Sequence, residues 1–190
     1  MRTYAAFAAV LVASHFMFGG VGYSLTSPAY THFVYMFSHC NIFHLLGNVF
    51  AILYMGSIFP KYIVPAEMLL FSYISAVACS FASSYELPTM GVSGMSWFFV
   101  GVIQGFVPAK YYKVVNKKVY FGCWVLLVLQ FILFAVMCKN INNLLHIECF
   151  ALGFFYILCR KKMVNSLIVL KLSLHLYRVK EIKNGTEKKI

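Results

Sequence analysis

Six apolar stretches dominate the chain and constrain its fold more than any other feature. They cover approximately residues 4–24, 43–59, 63–83, 93–107, 119–137 and 144–158. An α-helix of about 20 apolar residues crosses the hydrocarbon core of a bilayer. Charged residues make up only 11% of the chain, whereas a soluble domain normally carries about 25%. The sequence therefore predicts an all-α, polytopic membrane protein with six spans.

The basic residues predict the orientation of these spans. The net charge is +11, but the lysines and arginines lie between the apolar stretches, where they suit lipid headgroups better than nucleic acid. Cytoplasmic loops are enriched in such residues. Lysines and arginines precede the first span, lie between the second and third spans and between the fourth and fifth, and follow the sixth span. We therefore expect both termini in the cytoplasm, with the second, fourth and sixth spans starting at the outer side.

The same pattern suggests two parts of the chain. Residues 1–160 form the predicted membrane domain, and residues 161–190 a basic cytoplasmic tail, partly amphipathic or disordered. The first apolar stretch lacks a convincing small-x-small cleavage site, which favours a span over a signal peptide. Six cysteines are scattered without a C-x-x-C pair, which favours packing roles over a disulfide framework or a metal site.

Polar side chains at membrane depth are costly and therefore mark candidate functional sites. The expected orientation brings four of them to a similar depth near the outer ends of three spans: His44, Asn48, Ser93 and His146. Each has a structural alternative, since a membrane histidine or asparagine often only joins helices and a glycine-flanked serine often only forms a turn. Their combination predicts a site.

The residue types indicate acyl-transfer chemistry. A serine hydroxyl becomes a nucleophile when a base such as neutral histidine lies within hydrogen-bonding reach. The chain has no aspartate, and Glu148 lies two residues from His146, on nearly the opposite side of a helix. We therefore expect a Ser93–His146 dyad, with Glu148 turned toward the outer interface. Small residues at Cys149 and Gly153 predict close approach of the fourth and sixth spans.

Three motifs carry a resemblance to the rhomboid family of intramembrane serine proteases. They are "FSHCNIFHLLGN", "GVSGMSWFFVG" and "HIECFALG", in the family's order and on its second, fourth and sixth helices. The resemblance implies a six-transmembrane-helix rhomboid-like bundle. It also implies a role for each matching residue: nucleophile Ser93; general base His146; oxyanion donors His44, Asn48 and the Ser93 amide; supporting residues His39, Trp97, Gly91 and Gly94.

The resemblance further implies a serine endopeptidase that cleaves transmembrane segments of membrane proteins near the outer face. Its partners would be those substrates and the lipid bilayer, with no nucleic acid, metal or cofactor, and the short chain is compatible with a bacterial plasma membrane. Cys149 stands where the family usually has glycine, and Glu148 where it has a small residue. Two alternatives remain open: an inactive rhomboid-like protein that binds membrane clients, and a haem protein with histidine ligands.

Overall fold

The computed structural model describes residues 1–17, 20–59, 63–83, 86–106, 120–122, 124–125 and 141–161. These residues are mostly helical. The helices are α1 (Arg2–Met17), α2 (Thr31–Val34), α3 (Ile42–Ile58), α4 (Pro65–Ala82), α5 (Ser93–Gly105) and α6 (Asn143–Lys161), and a 3₁₀ turn at Tyr35–Phe37 follows α2. Residues 120–122 and 124–125 are also helical. Most of the predicted fifth span, residues 119–137, and the predicted tail beyond residue 161 lie outside the described residues.

Four of the long helices lie close to the predicted spans. By length and composition, α4 and α6 are each able to cross a membrane, and α2 with its 3₁₀ turn and α3 form a bent pair, at 88°, that is a third candidate. Helix α5 has 13 residues and spans roughly 20 Å, less than the ~30 Å hydrocarbon core. The chain thus holds two or three candidate membrane spans among the residues described.

The predicted end of the first span is wrong. Helix α1 ends at Met17, and Gly20 has φ +93°, a left-handed conformation that L residues with a side chain avoid. The backbone N–H groups of Gly20 and Val21 donate to the Ser38 hydroxyl, at 2.9 and 3.0 Å. Tyr23 then forms an isolated antiparallel bridge with Thr89. The apolar stretch therefore continues past the helix into a loop that packs beside α5.

Helix α5 is the buried centre of the described fold. Every residue after Ser93 is buried, as expected of a helix that is apolar on all sides. Helices α3 and α4 both pack against it, and α1 packs against α3. Ser93 itself, at the start of α5, stays partly exposed. The first residue of the central helix is thus its accessible one.

Glycines let α5 and α6 approach closely. A Cβ at Gly101 would lie 2.0 Å from the Phe150 carbonyl oxygen, and one at Gly153 would lie 2.0 Å from the Phe98 carbonyl oxygen. Both distances are far below van der Waals contact, so any side chain at either position would force the helices apart. The close approach predicted from small residues is confirmed, and it brings the first turn of α6 beside the first turn of α5.

A charged cluster joins the N-terminal end of α4 to the C-terminal end of α6. Arg160 donates to the two carboxylate oxygens of Glu67 at 2.8 and 3.1 Å, and the Tyr156 hydroxyl donates to the same carboxylate. Only 12% of the Arg160 side chain and 26% of the Glu67 side chain are exposed. This paired cluster holds α6 against α4 at the end away from His146.

Candidate active site

Ser93 and His146 form a hydrogen-bonded pair at the N-terminal ends of two adjacent helices. The Ser93 Oγ lies 2.9 Å from His146 Nε2. His146 is buried, with 6% of its surface exposed, and its Nδ1 has no hydrogen-bond partner among the described residues. The serine thus faces one ring nitrogen directly, within the reach that proton transfer requires.

Gly91 shapes the turn that leads into Ser93. Its φ is +104°, which glycine adopts without the steric penalty of a side chain. A Cβ here would also lie 2.7 Å from Cε1 of His44. Two independent constraints, backbone conformation and space, therefore require glycine. Gly94, one residue after Ser93, faces the Cys149 sulfur, which would be 3.4 Å from an added Cβ.

Asn142 caps the start of α6 and ties it to residues of three other segments, Tyr23, Ser83 and Thr89. Its Oδ1 accepts from the Leu145 backbone N–H at 3.1 Å, and its Nδ2 donates to the Ser83 carbonyl at 2.7 Å and the Tyr23 hydroxyl at 3.0 Å. These bonds fix the turn that carries His146. The sequence reasoning missed Asn142, although asparagine just before an apolar run is a typical helix N-cap.

The indole of Trp97 stacks on the imidazole of His146. The ring centroids are 5.5 Å apart and the planes differ by 18°. Trp97 lies one turn after Ser93 on α5 and is buried, with 4% of its surface exposed. The contact limits rotation of the imidazole and leaves Nε2 directed at Ser93.

His44 and Asn48 lie one turn apart on α3. Asn41 caps this helix, and its Oδ1 accepts from the His44 backbone N–H at 2.8 Å. The Nδ2 of Asn48 is buried and has no hydrogen-bond partner among the described residues. Gly91 brings the serine turn against this pair, because a Cβ there would lie 3.0 Å from His44 Nε2 and 3.4 Å from Asn48 Nδ2. Two side-chain nitrogens therefore converge beside the serine.

A cavity of about 850 Å³ connects these groups. Ser93, His146, His44, Asn48 and Trp97 all line it. Three polar residues that the sequence analysis did not select also line it: Thr89, Ser96 and Asn142. Further along α3 and α5 its wall becomes apolar, with Gly47, Ala51, Met55 and Val100. The cavity is thus polar near the serine and apolar away from it.

His39 lies behind the cavity wall. It is buried, with 2% of its surface exposed, and its ring meets His44 edge-to-face at 5.2 Å and His15 at 6.2 Å. Neither of its ring nitrogens has a hydrogen-bond partner among the described residues. Over this same part of the chain, no three His, Cys, Asp or Glu side chains are arranged to bind a metal ion.

Glu148 is partly buried in the second turn of α6. Its Oε2 is buried and unpartnered among the described residues, and the carboxylate interacts electrostatically with Cys79 of α4. One of its carboxylate oxygens is thus shielded from solvent, and the orientation of the side chain toward the outer interface stays a prediction.

A second serine–histidine pair joins α2 to α4. His32 Nδ1 lies 2.9 Å from the Ser80 Oγ. The Ser80 hydroxyl donates its proton to the Val77 carbonyl at 2.7 Å, so it accepts from the histidine. The His32 ring lies between Tyr23, at 4.7 Å, and Phe81, at 4.0 Å, and neither His32 nor Ser80 is among the described residues that line the cavity. This pair anchors α2 against α4.

Comparison with known proteins identifies the family. The Rhomboid domain matches residues 26–162, which include every residue of the candidate site. No curated protein matches the chain significantly. The chain belongs to the rhomboid family and is an integral membrane protein. The family includes intramembrane serine proteases and inactive homologues.

Proposed function

We propose that this protein is an intramembrane serine endopeptidase in which Ser93 and His146 form the catalytic dyad. The observation that supports this most strongly is the 2.9 Å contact between Ser93 Oγ and His146 Nε2 at the wall of a cavity that also holds His44 and Asn48. A nucleophile, its base and two nitrogen groups in one cavity are the parts that acyl transfer needs.

The first step is attack of Ser93 on a peptide carbonyl. The Oγ–H proton passes to His146 Nε2 while Oγ bonds to the carbonyl carbon. For Nε2 to accept this proton, the neutral ring carries its hydrogen on Nδ1. When the tetrahedral intermediate collapses, Nε2–H protonates the leaving amine and the C–N bond breaks. Water then attacks the acyl-enzyme with His146 again as the base, which releases the second product.

The oxyanion of that intermediate needs donors that are not already engaged. The Asn48 Nδ2 is such a donor, since it is buried without a partner among the described residues. His44 Nε2 lies beside the same turn, and the backbone N–H of Ser93 opens α5, where the helix dipole favours negative charge. Loss of one oxyanion donor typically lowers kcat by about 10²–10³-fold.

The substrate would be a transmembrane segment that unwinds near the cavity. A helical peptide bond is shielded by its own hydrogen bonds, whereas an extended segment would fit a polar site continued by an apolar wall. Because α5 is short, Ser93 would lie below the membrane surface. We further propose that the protein is a six-helix bundle with cytoplasmic termini, that its site lies toward the outer face, and that it resides in a bacterial plasma membrane.

The test is cleavage of a single-span model substrate by purified protein in liposomes, with Ser93→Ala and His146→Ala alongside. We expect the wild type to cut the substrate and both variants to be inactive, and we expect a fluorophosphonate to label only proteins that retain Ser93. A folded wild type that neither cleaves nor reacts with the fluorophosphonate would favour a client-binding, inactive homologue.

A further inference from the structure

We propose that Cys40 is a positioning residue that selects the tautomer of His44. In this assignment the Cys40 thiol donates to His44 Nδ1 and thereby places the ring's N–H on Nε2, where it serves as an oxyanion donor. The inference rests on the proposed function, in which His44 has that role. It adds a requirement that the proposed function leaves open, because His44 and His146 then need opposite tautomers.

Cys40 contacts both His44 and the cavity. Its Sγ lies 3.3 Å from His44 Nδ1, a normal distance for a hydrogen bond to sulfur. Cys40 is exposed and lines the cavity. The other contact of the His44 ring described above, with His39, is edge-to-face at 5.2 Å and therefore does not distinguish the two ring nitrogens.

Asn41 is a second hydrogen-bond partner of the Cys40 sulfur. Its Oδ1 is engaged as the α3 cap, accepting from the His44 backbone N–H at 2.8 Å, so its Nδ2 is left to donate. That Nδ2 lies 3.5 Å from the Cys40 sulfur. The sulfur therefore accepts from Asn41. Its single hydrogen is left to donate, and we assign it to His44 Nδ1 across the 3.3 Å contact.

A neutral imidazole has one N–H and one acceptor nitrogen. If Nδ1 accepts from the thiol, Nε2 carries the hydrogen. The opposite tautomer would turn an Nε2 lone pair toward the oxyanion and repel it. The helix cap and the histidine tautomer are thus linked through one sulfur atom.

The experiment combines ¹⁵N NMR of histidine-labelled protein in micelles with kinetics of Cys40→Ala and Cys40→Ser. The His44 signals are assigned by difference from His44→Gln. We expect the Nε2–H tautomer in the wild type and in Cys40→Ser, whose hydroxyl still donates, and a mixture of tautomers in Cys40→Ala. We expect kcat of Cys40→Ala to fall by about tenfold at unchanged KM, less than the ~10²–10³-fold loss for removing an oxyanion donor outright.

Two controls separate positioning from folding. Cys159→Ala removes the exposed cysteine of α6 and should change neither readout. Methyl methanethiosulfonate converts the Cys40 thiol to a methyl disulfide (S–S–CH3), with methanesulfinate as the leaving group, in protein that is already folded. This removes the thiol hydrogen and should reproduce the tautomer mixture in the wild type but not in Cys40→Ser.

An unchanged His44 tautomer in Cys40→Ala and after conversion of the thiol to the methyl disulfide would overturn the assignment, as would an equal loss of kcat in Cys40→Ser and Cys40→Ala. The NMR comparison does not depend on cleavage. If the wild type proves inactive, the proposed function fails, while the tautomer measurement still decides whether Cys40 orders His44.

Discussion

Within the part of the chain that the structure describes, two serine–histidine pairs have the same separation and different surroundings. Ser93–His146 and Ser80–His32 both have an O···N distance of 2.9 Å. In the first pair the serine is partly exposed in a cavity. In the second, the hydroxyl proton is used by a backbone carbonyl and the imidazole lies between two aromatic rings. Distance alone therefore does not define a catalytic pair.

The direction of the hydrogen bond explains the difference. A histidine acts as a base toward serine only if it accepts the hydroxyl proton, and His32 instead donates to an oxygen whose proton is already engaged. The Ser80–His32 pair is satisfied and packed, as expected of a group that stabilises structure. The Ser93–His146 pair keeps Nδ1 of His146 and the nearby amide of Asn48 unpartnered among the described residues, as expected of a site that completes its bonds with substrate.

The largest expected effect is the difference in activity between the Ser93→Ala and Ser80→Ala variants. Ser93→Ala should lower kcat/KM by at least about 10³-fold, since the nucleophile is removed. Ser80→Ala removes one hydrogen bond and should lower stability by about 1 kcal/mol with kcat nearly unchanged. Cleavage assays in liposomes and thermal unfolding in detergent measure the two effects. Equal loss of activity in both variants would contradict the assignment of Ser93 as the catalytic serine and Ser80 as a structural one.

A smaller effect is expected at Asn48, whose amide faces the cavity. Asn48→Ala should lower kcat by about 10²–10³-fold with little change in KM, because the donor acts on the transition state. Gln104 offers a matched control: both of its side-chain polar atoms are buried without partners among the described residues, and it does not line the cavity there. Gln104→Leu should keep full activity; a comparable loss in kcat would contradict the role of Asn48.

His32 should affect stability instead of catalysis. His32→Ala removes two ring contacts and a hydrogen bond, and we expect it to lower the free energy of unfolding by about 2–3 kcal/mol. The melting temperature should fall while kcat per folded molecule is retained. A protein with wild-type melting temperature and no activity would instead place His32 in the reaction.

The smallest effect is expected at Trp97. Trp97→Phe keeps an aromatic face against His146 but reduces the stacked area, and we expect kcat to fall by about threefold, roughly the value of one aromatic contact. Trp97→Ala should cost more. If both variants retain wild-type kcat in the same liposome assay, stacking has no part in orienting the base.

Much of the helical framework was predictable because apolar runs of membrane length have few other structures available. The starts of α3, α4, α5 and α6 lie close to the predicted positions. The end of α1 was not predictable from hydropathy, because the sequence stays apolar through residue 24. Gly20 and the Tyr23–Thr89 bridge redirect the chain before that point. A loop that packs against protein is as apolar as a helix that faces lipid, so hydropathy does not separate them.

The sequence by itself determined the family, the helical class and the residue types available for chemistry. Its motif spacing places His44 and Asn48 one turn apart on the same helix face, which follows from helix periodicity. Its small residues let α5 and α6 touch, which follows from side-chain size. Only the tertiary structure distinguished Ser93–His146 from Ser80–His32, and only it linked Asn142 and Cys40 to the site. These distinctions depend on hydrogen-bond direction and burial between segments distant in the chain, which residue order does not encode locally.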